Sequence, residues 1–525
     1  MSTLWKKVLL TATMAAFAAT AVMADDIPSF DTPSDGSVPS FGDASGDIPG
    51  FGSDSGSASS PGFGAASSAL AISGEGGASP RWFLAGASDI EDRAVQMDPY
   101  FRLNFSYSGS IGEIDAKLKV NERILKDNPE DVIDELTLRA YLGDFVLEAG
   151  KMKLVWGKGD KVHVLDNFNS DDYSDFIFPD YIDRRIAVPM VHVAYNMVNG
   201  TRLEGAYTPY MTPTRYASSG PWVPEHTLLS AWDSAHAGAQ YMAAGYTAAG
   251  LLDLSDYAEP TLSSFLSAYN YSATGYYDFY KDNIPNTKTL KYGQFGFRAT
   301  GTVGSFDWGA SYFYGRMKDA SMDGTELAKL MLLAGSANAF ASGKFSVGQL
   351  YDYDRMQVFG LEGATVLGGF NFRAELGYYL TDDVDDDDPY VHNNSLQWVF
   401  GFDRDLPWNN LNVNIQTQGK YILHGDDVKD NGVGDVDYNG EKAWVQNRLV
   451  LDVTDSWMHE KLKPELKLVW NIELKDVVVM PQVSYQLMEG LDVSLAGLYI
   501  YSGDNGQFYD FKDNSFVQVG AVYKF

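Results

Sequence analysis

The residues that most constrain this chain are its last eleven, Ser515 to Phe525. Counting back from the end, Phe525, Tyr523, Ala521, Val519 and Val517 are apolar or aromatic, while the alternate set holds Lys524, Gly520 and Gln518. A two-residue period with one oily face is an extended strand whose two sides meet unlike surroundings. The period recurs along the chain. Phe101, Leu103, Phe105 and Tyr107 alternate with Arg102, Asn104 and Ser106, and Phe370, Phe372, Ala374, Leu376 and Tyr378 with Arg373 and Glu375. Short turns such as Val198-Asn199-Gly200, Leu367-Gly368-Gly369 and Met488-Glu489-Gly490 separate the runs. The chain is 14% aromatic with 51 glycines, yet its mean hydropathy is only −0.20. Lipid-facing side chains alternating with lumen-facing ones give that combination, because the polar set offsets the apolar set.

Lys6 and Lys7 precede the apolar run Val8 to Val22, which closes on Val22-Met23-Ala24. That order predicts a secretory signal over 1–24, cut after Ala24. No later segment offers an apolar stretch of helix length. The exported chain has no cysteine, so disulfides cannot stabilise it, whereas a closed barrel does so by pairing every strand edge. A chain ending on Phe directly after an amphipathic strand resembles the insertion signal of bacterial outer-membrane barrels. This implies outer-membrane lipid and the barrel assembly machinery as partners. The formal charge of −31 argues against nucleic acid as a partner.

Residues 25–69 are rich in Gly, Ser, Asp and Pro and carry Pro-x-Phe units, as in Ile27-Pro28-Ser29-Phe30 and Val38-Pro39-Ser40-Phe41. They read as a flexible linker, with the units as candidate docking motifs for a periplasmic partner. From 70 to 525 strands and loops alternate. About seventeen strands are clear after Asp98, and a single-chain barrel needs an even number to keep both ends on one side. Leu70 to Phe83 supplies the missing strand. The expectation is an all-β, transmembrane antiparallel β-barrel of 18 strands, with 16 as the alternative. Long connections at roughly 157–189, 210–290, 317–351, 381–394, 423–443 and 502–514 fall on one end, with short helices at 251–254, 261–266 and 326–333.

None of the seven histidines sits in a catalytic frame, so no enzymatic activity is expected. Two acidic loops hold Asp382, Asp383 and Asp385 to Asp388, and Asp426, Asp427, Asp430, Asp435 and Asp437. Asp427, Asp430, Asp435 and Asp437 are candidates for loosely bound calcium; no other cofactor is expected. The plainer reading is a solvated acidic rim. The strand period turns Arg102, Arg139, Arg298, Arg373, Lys420 and Arg448 into the lumen, together with Glu375 and Asp452. Mixed charge of this kind either orients passing polar solutes or stiffens the wall through internal salt bridges.

One further set of residues points to a family. Gly150-Lys151-Met152-Lys153-Leu154-Val155-Trp156-Gly157-Lys158-Gly159-Asp160 is followed by Val164-Leu165-Asp166-Asn167-Phe168-Asn169 and by Asp180-Tyr181-Ile182-Asp183-Arg184-Arg185-Ile186-Ala187-Val188-Pro189-Met190. With Leu203 to Tyr210 and Val399 to Asp405, this set resembles the DUF1302 and alginate-export-like porins of Gram-negative outer membranes. The likeness covers roughly 70–525 and is most specific over 150–210. It departs in the oversized 210–290 loop and in the Pro-x-Phe linker. The resemblance implies a wide barrel passing small polar or amphiphilic solutes; the alternative is a barrel acting as adhesin or receptor through its outer loops. By parity Trp156 to Pro189 is the third outer loop, which general porins fold into the lumen. Trp156, Lys158, Asp160, Asp166, Asn167, Asn169, Asp171 and Asp172 are therefore expected at a constriction. The plainer reading is a tight Gly157/Gly159 turn whose Asp and Asn residues satisfy backbone donors.

Overall fold

The computed structural model describes residues 69–84, 95–229, 272–326, 348–385, 388–431, 435–438 and 444–525. The predicted signal, nearly all of the linker, the helices at 251–254 and 261–266, and all but Glu326 of the one at 326–333 lie outside the described residues.

One sheet contains twenty antiparallel strands, two of them short pieces, Arg81–Phe83 and Val95–Gln96, that extend the wall at one end; the other eighteen form a closed barrel. They are β1 (Ala69–Ala78), β2 (Tyr100–Ser108), β3 (Gly112–Asn121), β4 (Ile133–Leu142), β5 (Phe145–Met152) and β6 (Val188–Asn196). Next come β7 (Arg202–Thr208), β8 (Gln294–Val303), β9 (Phe306–Arg316), β10 (Arg355–Leu367), β11 (Phe370–Thr381) and β12 (Ser395–Asp405). The last six are β13 (Asn412–Ile422), β14 (Val445–Thr454), β15 (Leu462–Asn471), β16 (Asp476–Met488), β17 (Leu491–Tyr501) and β18 (Phe516–Lys524). Each strand pairs with its sequence neighbour, and β1 closes the ring on β18 over Glu75 to Ala78. The Gly74 and Phe525 backbones exchange two bonds of 2.9 Å, and Arg81–Phe83 then continues along Phe516 to Gln518. The strand expected between Leu70 and Phe83 is thus β1 and its extension, and the count is 18.

The eight connections at one end are short. Gly368 and Gly369 form the whole loop between β10 and β11 with φ of 62° and 80°, the positive values that a two-residue turn matched to strand twist requires. The expected long connections all lie at the opposite end. One connection there is short, the turn 472–475 between β15 and β16, where the strand pattern runs almost unbroken.

Large apolar side chains stand exposed around the outside: Leu138, Phe297, Leu361, Phe400, Leu495 and Tyr499 are examples. Aromatic rings gather near the two edges of this surface. Phe145 packs on Tyr195 and Phe370 on Phe402 by the short turns, and Phe295 stacks on Tyr314 towards the long loops. An apolar band between aromatic girdles suits a bilayer, and a closed barrel leaves no backbone group unpaired within it. Among the described residues no helix is long and apolar enough to cross a membrane.

Candidate functional site

The connection between β5 and β6, residues 153–187, folds into the barrel. Its first half docks on Glu375 of β11, which accepts from the backbone N–H of Gly159 (2.6 Å), Val164 (2.8 Å) and Leu165 (3.2 Å) and meets His163 Nδ1 at 2.9 Å. Gly157, at φ 119°, is needed for this approach, because a Cβ there would lie 2.2 Å from Glu375 Oε1. Farther round the wall Lys161 Nζ reaches Asp452 of β14 at 3.0 Å, and its N–H donates to Gln416 Oε1 of β13 at 3.2 Å. The second half docks on the opposite wall. Asp183, in the short helix Tyr181–Arg184, accepts from Arg102 of β2 at 2.6 Å, and Arg81 donates to Asp175 at 2.9 Å. β2 and β11 stand nine positions apart in a ring of eighteen, so the loop spans the lumen. Burial would push the Asp183 carboxyl up, but Arg102, Lys119 and Lys153 outweigh it and hold it at about 2.

Between these anchors the loop carries its own core. Trp156 is 1% exposed and meets Phe168 edge-on at 5.1 Å, and Phe168 meets Phe313 of β9 at 5.0 Å. Asn169 ties the loop's two ends together: Leu154 N–H donates to its Oδ1 (2.9 Å), and its Nδ2 donates to the carbonyls of Met152 (3.1 Å) and Ile186 (2.9 Å). Asp166 pairs with Arg185 at 2.6 Å and accepts from Tyr181. Asp171 also pairs with Arg185, and Asp172 with Arg215. Asn167 is half-buried, accepting from Tyr379 at 3.2 Å, whereas Lys158 and Asp160 are partly exposed, Asp160 lying 3.8 Å from Arg373. The eight expected residues therefore sit in one loop but divide: most serve its internal framework, and Lys158, Asp160 and Asn167 keep access to open space. Arg81, Asp175, His163 and Asp183 anchor the loop as well, and no pattern in the sequence singles them out.

The family of this chain follows from its sequence as a whole. The family described as "Protein of unknown function (DUF1302)" matches residues 142–525. The chain is a member of the DUF1302 family. Among solved structures, this DUF1302 member is similar to OccAB3 of Acinetobacter baumannii, with 9% identity over 87% of this chain and 99% of that one at a TM-score of 0.42. It is similar also to a BenF-like porin of Pseudomonas fluorescens Pf-5, with 8% identity over 88% and 98% at a TM-score of 0.43. No curated protein matches.

In this DUF1302 barrel Arg102, Arg139, Arg298, Arg373, Glu375, Lys420, Arg448 and Asp452 all occupy the inward register. Many pair between strands: Arg139 with Glu148 (2.7 Å) and Glu113 (2.8 Å) and Arg373 with Asp403 (2.5 Å) on adjacent strands, and Arg298 with Glu362 (2.5 Å) across the intervening β9. Glu375 and Asp452 are buried beneath the crossing loop.

Of the acidic loops, Asp386, Asp387, Gly432 and Gly434 lie outside the described residues. Asp427 and Asp430 are exposed on the helix Gly425–Asn431. Asp435 and Asp437 face inward to Asn393 (3.3 and 3.0 Å), with Asn431 on Asp435 (3.0 Å) and Lys420 on Asp437 (3.5 Å). Among the described residues no group of three or more carboxylate or imidazole side chains converges to hold a metal ion. Burial, with Asp437 beside it, pushes the Asp435 carboxyl up to about 6. A raised carboxyl favours the folded loop while protonated, so that stability is lost as pH rises through about 6. His392 acts in the same direction: burial opposes its charge, but Asp354 lifts its pKa above the ordinary value, and the gain fades as pH rises past the raised value. Protease cleavage within 423–444 is therefore expected to quicken between pH 5 and pH 7.5, with a shallower profile in Asp435→Asn; these pH values bracket the usual histidine range of about 6.5.

Proposed function

We propose that this DUF1302 member is an outer-membrane channel for passive diffusion of small polar or amphiphilic solutes, narrowed by the loop 153–187. The observation that carries this reading is the loop's span from β2 to β11 across a charged lumen, inside a wall that is apolar outside. In this reading Lys158, Asp160 and Asn167 border the aperture, with Asp160 beside Arg373, while Trp156, Asp166, Asn169, Asp171 and Asp172 hold the loop in shape. Lining charges that pair with one another orient a polar solute by their local field without excluding either sign of ion. The barrel's export, its outer-membrane setting and its lack of catalysis belong to the same reading.

Liposome swelling with graded sugars tests it. Proteoliposomes are expected to swell with small sugars and to slow steeply with size, with a reversal potential in a KCl gradient that shows only weak selectivity. A barrel serving only as adhesin or receptor admits none of them, and strong anion selectivity would overturn the balanced-lumen assignment.

A further inference from the structure

Away from the crossing loop, β12 to β15 form an open cup in the lumen wall near the long-loop end, with Gln397, Gln418, Lys420, Gln446, Arg448 and Asn471 among its lining residues. Strand register assembles it: Lys420 lies opposite Gln397 and Gln446, and Arg448 opposite Gln418 and Asn471. Arg448 is committed to orienting amides, donating to Asn471 Oδ1 (2.7 Å), Gln418 Oε1 (2.9 Å) and Gln507 Oε1 (3.0 Å).

With its oxygen held by Arg448, Gln418 keeps its Nε2 for the cup. This side chain is 7% exposed, and among the described residues no acceptor meets that nitrogen. Gln397, 5% exposed, gives its Nε2 to Ser395 at 3.4 Å, while its Oε1 meets no donor among the described residues. Two nine-tenths-buried amides thus present a donor and an acceptor on adjacent strands. Both atoms stay open to water in the cup, so a ligand group that both donates and accepts can take that water's place. Hydroxyl groups do both. Of the charges nearby, Lys420 has Asp437 at 3.5 Å, Arg448 is spent on the three amide oxygens, and Glu473 at the lip accepts from the Asn447 backbone N–H (2.6 Å) and Nδ2 (2.8 Å).

We infer that the cup is a binding subsite for an uncharged, hydroxyl-rich solute, a sugar or polyol. The inference rests on the channel reading, because the cup opens on the lumen. The test uses the full chain in planar bilayers in KCl, with glucose and maltose as neutral probes and gluconate as the charged control. Saturable block by the neutral sugars is expected, with half-block shifted severalfold upward in both Gln418→Ala and Gln397→Ala and the KCl conductance of each unchanged. Heat-modifiable gel migration checks that the variants fold, and Gln418→Asn, which keeps an amide, is expected to fall between wild type and Gln418→Ala. No saturable block, equal block in both alanine variants and wild type, or tighter binding of gluconate than of glucose would overturn the subsite and leave the channel standing. A protein carrying no current would instead end the channel reading. Calorimetry with maltose in detergent then decides the cup alone: saturable heat lost in Gln418→Ala supports it, and no heat sinks it.

Discussion

A variant lacking residues 158–175 is expected to pass severalfold more current per channel than the intact chain while still closing as a barrel. The deletion removes the Gly159, Val164 and Leu165 bonds to Glu375 and the Lys161–Asp452 link, and with them the loop's hold on the β11–β14 wall. The backbone pairing of the eighteen strands lies elsewhere and stays intact. Inward-facing Val358, Val399, Val450 and Val469, each 2% exposed or less, lose apolar cover. Each fully covered valine contributes on the order of 1.5–3 kcal/mol, so a lower unfolding temperature is expected as well. Single-channel recording together with heat-modifiable migration checks both halves. A folded deletion variant with unaltered conductance would show that the loop does not limit flow.

Replacement of Glu375 by alanine should release the same loop without shortening it. Three backbone donors and His163 lose their acceptor in a site with almost no water. Each stranded donor costs about 1–3 kcal/mol, and the sum is smaller than four independent losses because the loop can move away. Glu375→Gln is expected to behave nearly as badly, since its NH2 would face N–H groups where an oxygen is required. The readouts are flickering current and rapid protease nicking within 153–187, against steady current and protection in the wild type. Equal protection in all three proteins would mean that the other anchors suffice.

The barrel was legible because strand alternation and turn chemistry are local. Phe370 to Tyr378 shows its oily face by type and spacing alone, and Gly368-Gly369 marks a hairpin that few other residue pairs could make. β1 carries little pattern of its own, and parity rather than periodicity pointed to it. The lumen was harder. Asn169 and Asp166 read as water-facing by residue type, yet they sit inside a loop whose backbone needs partners once it leaves solvent. Glu375 and Gly159 are 216 residues apart, and nothing short-range pairs them. Trp156 illustrates the same limit: expected at the constriction, it is buried in the loop's own core against Phe168.

The tight turn at 472–475 makes the parapet uneven. At that end the connection between β5 and β6 turns into the lumen, and between β15 and β16 the chain makes only a short turn, directly beside the lip formed by Glu473 and Leu474. A solute passing over this short turn would meet the amide-lined hollow before the centre of the passage.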